Sequence, residues 1–139
     1  MTDVIWMFNG GKILSHDNLH PECTDIVYVI TYSNQLKYIG KKAVRAVRKY
    51  PPLKGKKRCR RKMKNLPFAN YQGSHEKAKE MTAVTKQIIY QCSQRRTATY
   101  LEAQLLFKHE AIFSDRYINE NISGTFFKNS LDGLIGGRG

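Results

Sequence analysis

Two tyrosines stand on what reads as one β-hairpin, and a long basic run follows them at once. Tyr28 lies in Ile26-Val27-Tyr28-Val29-Ile30, and Tyr38 opens Tyr38-Ile39-Gly40. Lys41 to Lys64 then holds thirteen Lys/Arg in twenty-four residues and no Asp or Glu. Thirteen is also the net positive charge of the whole 139-residue chain, so the rest of the chain balances to zero. The charge belongs to one segment attached to one structural unit, and that is where a polyanion would sit. Further on, Glu102 is a carboxylate in an awkward place. On a helical wheel it falls beside Leu101, Leu105 and Ile112, on the arc that should face a sheet. Burying a carboxylate is costly unless a cation compensates it, and the candidates are the arginines of the basic run or a metal ion.

The elements that must position these groups can be read from pattern. Ile26 to Thr31 is β-branched, aromatic and short, a strand; Gln35 to Ile39 returns. Side chains alternate along strands, so the two tyrosines share a face only if the hairpin loop is odd in length. Ser33-Asn34-Gln35 as a three-residue loop achieves this. Ala43 to Tyr50 reads as a short helix stopped by Pro51-Pro52, and Leu53 to Met63 as a mobile basic loop. Lys77 to Thr85 reads as a helix capped by Ser74, Gln87 to Cys92 as a third strand, and Thr97 to Phe113 as the clearest helix of the chain. The glycine-rich end, Gly133 to Gly139, reads as frayed. Trp6, in the small apolar cluster Val4 to Phe8, reads as a core plug.

Glu102 has a plainer reading too. Thr99-Tyr100-Leu101-Glu102 fits a capping box in which Glu102 only closes the helix start, and the two readings stand side by side. His109 reads as a partly buried, hydrogen-bonded histidine. His16, His20 and Cys23 are irregularly spaced with no fourth ligand, so they read as a lead-in loop rather than a metal cluster. Three widely spaced cysteines without C-x-x-C argue against a disulfide framework and a zinc ribbon and for a reducing, cytoplasmic setting. No apolar run is long enough to span a bilayer, and Met1 to Lys12 resembles neither a signal nor a transit peptide.

The ordered set resembles the GIY-YIG nuclease family, and in particular small phage-encoded free-standing endonucleases of the Seg type. It comprises a tyrosine on the first strand, an intact Tyr38-Ile39-Gly40 on the second, arginines soon after, a helix with an inward Glu, and then an Asn. Ile26 stands where the family has its first glycine. The continuations Gly40-Lys41-Lys42 and Tyr71-Gln72-Gly73-Ser74 and the piece Trp6-Met7-Phe8-Asn9-Gly10 carry the same resemblance. It spans about residues 25 to 122.

The resemblance implies an α+β fold, a three-stranded antiparallel β-sheet flanked by helices. It implies an N-terminal arm over 1–24, the nuclease domain over 25–128 with a basic loop at 41–64, and a flexible tail over 129–139. It implies metal-dependent hydrolysis of duplex DNA with Mg²⁺ (or Mn²⁺), in a homing enzyme or one that cuts host or competitor DNA. Tyr28 would be the general base or orient the attacking water, with nearby cations lowering its pKa. Tyr38 would hydrogen-bond a phosphate oxygen or water. Arg48, with Arg45 as competitor, would clamp the phosphate. Glu102 would hold the metal, and Asn119, with Asn121 as competitor, would buttress the site. Lys41, Lys42, Lys54, Lys56, Lys57, Arg58, Arg60, Arg61 and Lys64 would grip the DNA backbone, and a homodimer on DNA is open. The alternative is a non-catalytic nucleic-acid-binding protein on a degenerate nuclease fold, using the basic segment 41–64.

Overall fold

The computed structural model describes residues 4–58, 60–126 and 128–137, with only the backbone of Arg60. Its centre is the expected antiparallel trio. Strand β3 (Asp25–Tyr32) pairs with β4 (Lys37–Ala43) on one side and with β7 (Ala83–Cys92) on the other. The sheet is larger than three strands. Trp6–Phe8 (β1) pairs in parallel with β7, and Gly11–Ile13 (β2) closes a hairpin on β1. Leu134–Gly137 (β8) pairs with the far end of β7. The result is a six-stranded mixed sheet, ordered β2-β1-β7-β3-β4 with β8 beside β1 along β7. Residues 6–8 and 11–13 of the expected arm are thus sheet, and residues 134–137 of the expected frayed end are a strand, while Arg138 and Gly139 lie outside the described residues.

The hairpin closes as its sequence requires. Tyr32 N donates to Leu36 O at 2.9 Å around the loop Ser33-Asn34-Gln35, and Gln35 takes φ of 70°. A three-residue loop ending in a left-handed residue matches the twist of the strands. Tyr28 lies opposite Gly40 and Ile30 opposite Tyr38, so both tyrosines face the same side. The β3–β7 register slips between Val27 and Tyr28, which leaves Ile89 as an extra residue. That bulge turns β7 over. Ile88 lies under Tyr28 on one face while Tyr90, two residues on, serves the other.

Each face has its own core. Trp6, Ile26, Tyr28, Ile30, Tyr32 and Ile88 pack under a strap, residues 66–82, whose Phe68 and Ala78 are buried. Trp6 Nε1 and the buried Lys86 Nζ both donate to strap carbonyls, Phe68 O and Ala69 O, at 2.9 Å each. On the other face Val27, Ile39, Tyr90 and Cys92 pack against Leu101, Leu105 and Leu106 of α1 (Arg95–Lys108). The helix starts earlier and ends sooner than its sequence pattern suggests, and Ala111–Phe113 is a separate 3-10 turn. His109 is exposed beyond the helix end, stacked on Tyr117, instead of partly buried. The expected helix at 77–85 is a 3-10 turn, Glu76–Glu80, followed directly by β7.

The largest departure is in the basic segment. Residues 43–50 form no helix. Arg45–Tyr50 (β5) pairs with Arg60–Asn65 (β6) in a two-stranded antiparallel ribbon outside the main sheet. Residues 51–58 form its exposed tip, with a turn closed by Lys56 N to Leu53 O at 2.8 Å. Cys59 and the side chain of Arg60 lie outside the described residues. Among the described residues no helix is long and apolar enough to cross a membrane.

Candidate active site

The site straddles β4, the edge strand of the sheet. Tyr38 rises from the strap face, α1 brings Glu102 over the opposite face, and Gly40 lies between the tyrosines. A Cβ on Gly40 would come within 2.5 Å of the Tyr28 hydroxyl and 2.9 Å of the Tyr38 ring, so only glycine lets these rings approach, with centroids 6.2 Å apart. The strap completes this half. Tyr28 donates to the Tyr71 hydroxyl at 3.2 Å, Tyr38 and Ser74 share a hydrogen bond at 3.0 Å, and the His75 ring meets the Tyr38 ring at 5.9 Å. Gly73, at φ +105°, passes over the Tyr32 hydroxyl, where a Cβ would lie 2.7 Å away.

Asn119 is set by the backbone of β4 itself. Residues 116–118 run beside the edge, with Lys37 N donating to Arg116 O and Ile118 N to Lys37 O. The Asn119 carboxamide then continues the ladder. Its Oδ1 accepts from Ile39 N at 3.0 Å and its Nδ2 donates to Ile39 O at 2.8 Å. Tyr38, Glu102, His75, Asn119 and Asn121 line one pocket of about 180 Å³.

The capping reading of Glu102 does not hold. The residue before the helix is Gln94, and Thr99 sits inside it with its hydroxyl donating back to Arg95 O at 3.1 Å. Glu102 is in the second turn, 16% exposed, with Lys41 Nζ 3.8 Å from its Oε1. Burial raises its carboxyl above the ordinary range, and Lys41 and then Arg95 pull the other way. Near the start of the helix lies a second buried acid, Asp25, whose Oδ2 is 3.5 Å from Arg95 Nη1. Burial raises Asp25 too, against the Thr24 hydroxyl and Arg95.

The tyrosines behave differently from expectation. Tyr28 is fully buried, and desolvation, reinforced by Tyr71, pushes its hydroxyl well above the usual phenol value. No cation stands among the main causes, so the expected lowering by nearby cations is not seen among the described residues. Burial raises Tyr38 as well, against its bond from Ser74.

The two candidate arginines are not in the pocket. Arg45 is spent at the root of the ribbon, donating to the carbonyls of His16, His20, Pro21 and Cys23 at 2.7–3.1 Å and to Asn65 Oδ1 at 3.3 Å. Arg48 is exposed on the ribbon opposite Lys62. Lys54, Lys56, Lys57 and Arg58 are exposed at the tip, and Arg61 and Lys64 along β6. Lys42 reaches over the Tyr71 ring, 5.4 Å from its centroid, and donates to Ala43 O. Lys41 is the cation beside the acid. Tyr71, Ser74 and His75 are pocket neighbours that the wheel and strand patterns do not mark. The only signal for the first two is their place in Tyr71-Gln72-Gly73-Ser74.

A family model described as "Putative endonuclease segE, GIY-YIG domain" matches residues 6–122. The chain belongs to the SegE-type GIY-YIG endonuclease family. Neither the curated proteins nor the solved structures compared with it give a match. The family match reaches back to Trp6, in agreement with β1 and β2 being integral to the sheet. GIY-YIG members are nucleases that depend on divalent metal in general. A metal at this pocket would have Glu102 and Glu120, which both line it, as its carboxylates, and no cluster of three His, Cys, Asp or Glu that could hold a metal occurs among the described residues. That donor set fits Mg²⁺, a hard cation that keeps most of its waters and takes one or two carboxylates.

Proposed function

We propose that the protein is a metal-dependent endodeoxyribonuclease that hydrolyses phosphodiester bonds in duplex DNA, with its chemistry at the edge of β4. What carries the reading is the convergence of Tyr38, Glu102 and Asn119 on one pocket at β4, the strand that runs on into the basic segment 41–64. Glu102 would hold Mg²⁺ or Mn²⁺, which when bound supplies Lewis acidity and an acidified water.

The chain's own groups do the remaining work. Lys41, beside Glu102, neutralises charge that builds on the phosphate oxygens. Tyr28, kept protonated by burial, donates to Tyr71 and holds the aromatic cluster beneath Tyr38, and it is not the base. Tyr38, held by Ser74, presents its hydroxyl to the same space. Asn119 fixes the edge strand and so the spacing of Tyr38, Ile39 and Gly40. Cys23 and Cys92 are free and buried, in keeping with a reducing cytoplasmic setting. The Seg-type match supports a role in cutting host or competitor DNA, or in homing.

The test is supercoiled plasmid with Mg²⁺, with EDTA as control and Glu102→Ala in parallel. The expected result is nicked or linear product that needs the metal and is lost in the variant, while the gel shift is retained. Wild-type protein that shifts DNA in a salt-sensitive way but never cuts it would overturn this reading in favour of the binding module.

A further inference from the structure

A two-stranded ribbon has no reason to stand alone. It buries little, and an isolated hairpin is marginal in water. Here Val47, Tyr50, Leu53 and Met63 are between 36% and 53% exposed, and no acid occurs anywhere from Ile26 to His75. The ribbon is therefore a surface built for something absent, and charge limits that to a polyanion. Shape limits it further. The major groove of B-DNA admits a two-stranded β-ribbon, whereas that of duplex RNA is too narrow.

The pairing also divides the side chains. Arg45, Val47 and Lys49 share one face with Arg61, Met63 and Asn65, and Arg48 and Tyr50 share the other with Lys62 and Lys64. The first face turns toward the body. Arg45 is locked to the carbonyls of residues 16–23, and Val47, Arg61 and Met63 line a cleft with Thr24, Ser93 and Gln94 just before α1. The second face, with Lys62 Nζ 5.6 Å from the Tyr50 ring centroid, is open.

We propose that the β5–β6 ribbon lies in the major groove of duplex DNA and reads bases with its open face, Arg48, Tyr50, Lys62 and Lys64, while the tip lysines hold phosphates. This rests on the nuclease reading only for the choice of DNA. Arg48 becomes a reader of base edges, for which its fork suits guanine O6 and N7. The sequence preference of the enzyme would then reside in the ribbon and not in the pocket.

The experiment uses the full chain carrying Glu102→Ala, bound to duplexes selected from a random pool, with dimethyl sulfate reporting guanine N7 in the major groove. Protection should cover guanines within one helical turn. Adding Arg48→Ala with Lys62→Ala should remove that protection and flatten the preference at least about tenfold, the size of one good base contact. Adding Lys54→Ala, Lys56→Ala and Lys57→Ala should instead weaken all sequences alike and lower the salt slope by roughly 2–3. Circular dichroism should show both sets folded, since every position is exposed. Protection and preference that survive the first set would overturn the proposal, as would equal competition by duplex RNA. The readout is binding by a protein that cannot cut, so failure of the plasmid assay refutes the nuclease alone. A Glu102→Ala protein that gives no groove protection, while the wild type still cleaves, refutes the ribbon alone.

Discussion

The sheet body and the ribbon are held by opposite physics. The body closes two cores, one on each face, around β3, whose Ile26, Val27, Tyr28 and Ile30 are fully buried. The ribbon buries almost nothing and crowds like charges along two strands. Its root is secured by Arg45 on four carbonyls and by Val44 N on Thr24 O. The body can therefore hold a reaction geometry unaided, while the ribbon reaches its most stable state only against a partner of opposite charge.

The strongest way to test that division is to remove the body's acid. Glu102→Ala should cut the cleavage rate by at least ~10³, about 4 kcal/mol of barrier, and leave DNA affinity and its salt dependence unchanged. A parallel fall in affinity would mean that body and ribbon are not separate in function.

Next is the joint between them. Arg45→Ala should destabilise the fold by about 2–3 kcal/mol, because a charged donor shared by several carbonyls is lost, although His16 O and His20 O keep their bonds from Leu19 N and Cys23 N. Limited proteolysis should then cut in 51–58 faster. Unchanged cleavage there would show that the ribbon stands without its root.

Gly40→Ala sharpens the view of the body. The new methyl meets the Tyr28 hydroxyl, so a loss of about 1–3 kcal/mol by thermal melting is expected, with activity falling as the tyrosines separate.

Asp25→Asn is the smallest change. Burial raises the Asp25 carboxyl in the fold, so the neutral form is favoured there. Its contribution to stability is complete below the unfolded pKa and is lost as pH rises through the folded one. The variant should melt higher than wild type at neutral pH, by roughly 2–4 °C, and the gap should close near pH ~4. A gap of opposite sign would show that Arg95 outweighs burial.

How much of this was legible differs between the two regions. The hairpin could be read because β-branched runs and an odd loop are local signals, and Tyr28 and Tyr38 share a face as the register demands. Glu102 facing inward was legible from the wheel, though the capping box had to be excluded by Gln94 lying before the helix. The ribbon was not legible. Ala43 to Tyr50 alternates Ala, Val and Arg in a way a helix would also accept, and β6, Arg-Arg-Lys-Met-Lys-Asn, has no strand pattern at all. Their pairing is tertiary. The β1–β7 pairing joins Trp6 to Lys86 across most of the chain, which no local window contains. Strand β8 hides in a glycine-rich stretch because a Cβ at Gly137 would strike the Tyr90 ring and the carbonyl of Ile89.

One hydrogen bond at the base of the ribbon has a wider consequence. Leu66 N donates to Val44 O at 2.9 Å, so the chain leaves the body and returns to it at a single point. Whatever lies between is an excursion whose length the body scarcely senses, since doubling a closed loop costs only about 0.6 kcal/mol. Lineages could lengthen, shorten or exchange that excursion while the catalytic edge stays as it is. A nuclease could acquire new targets in this way by trading one small appendage, with no second domain to fold.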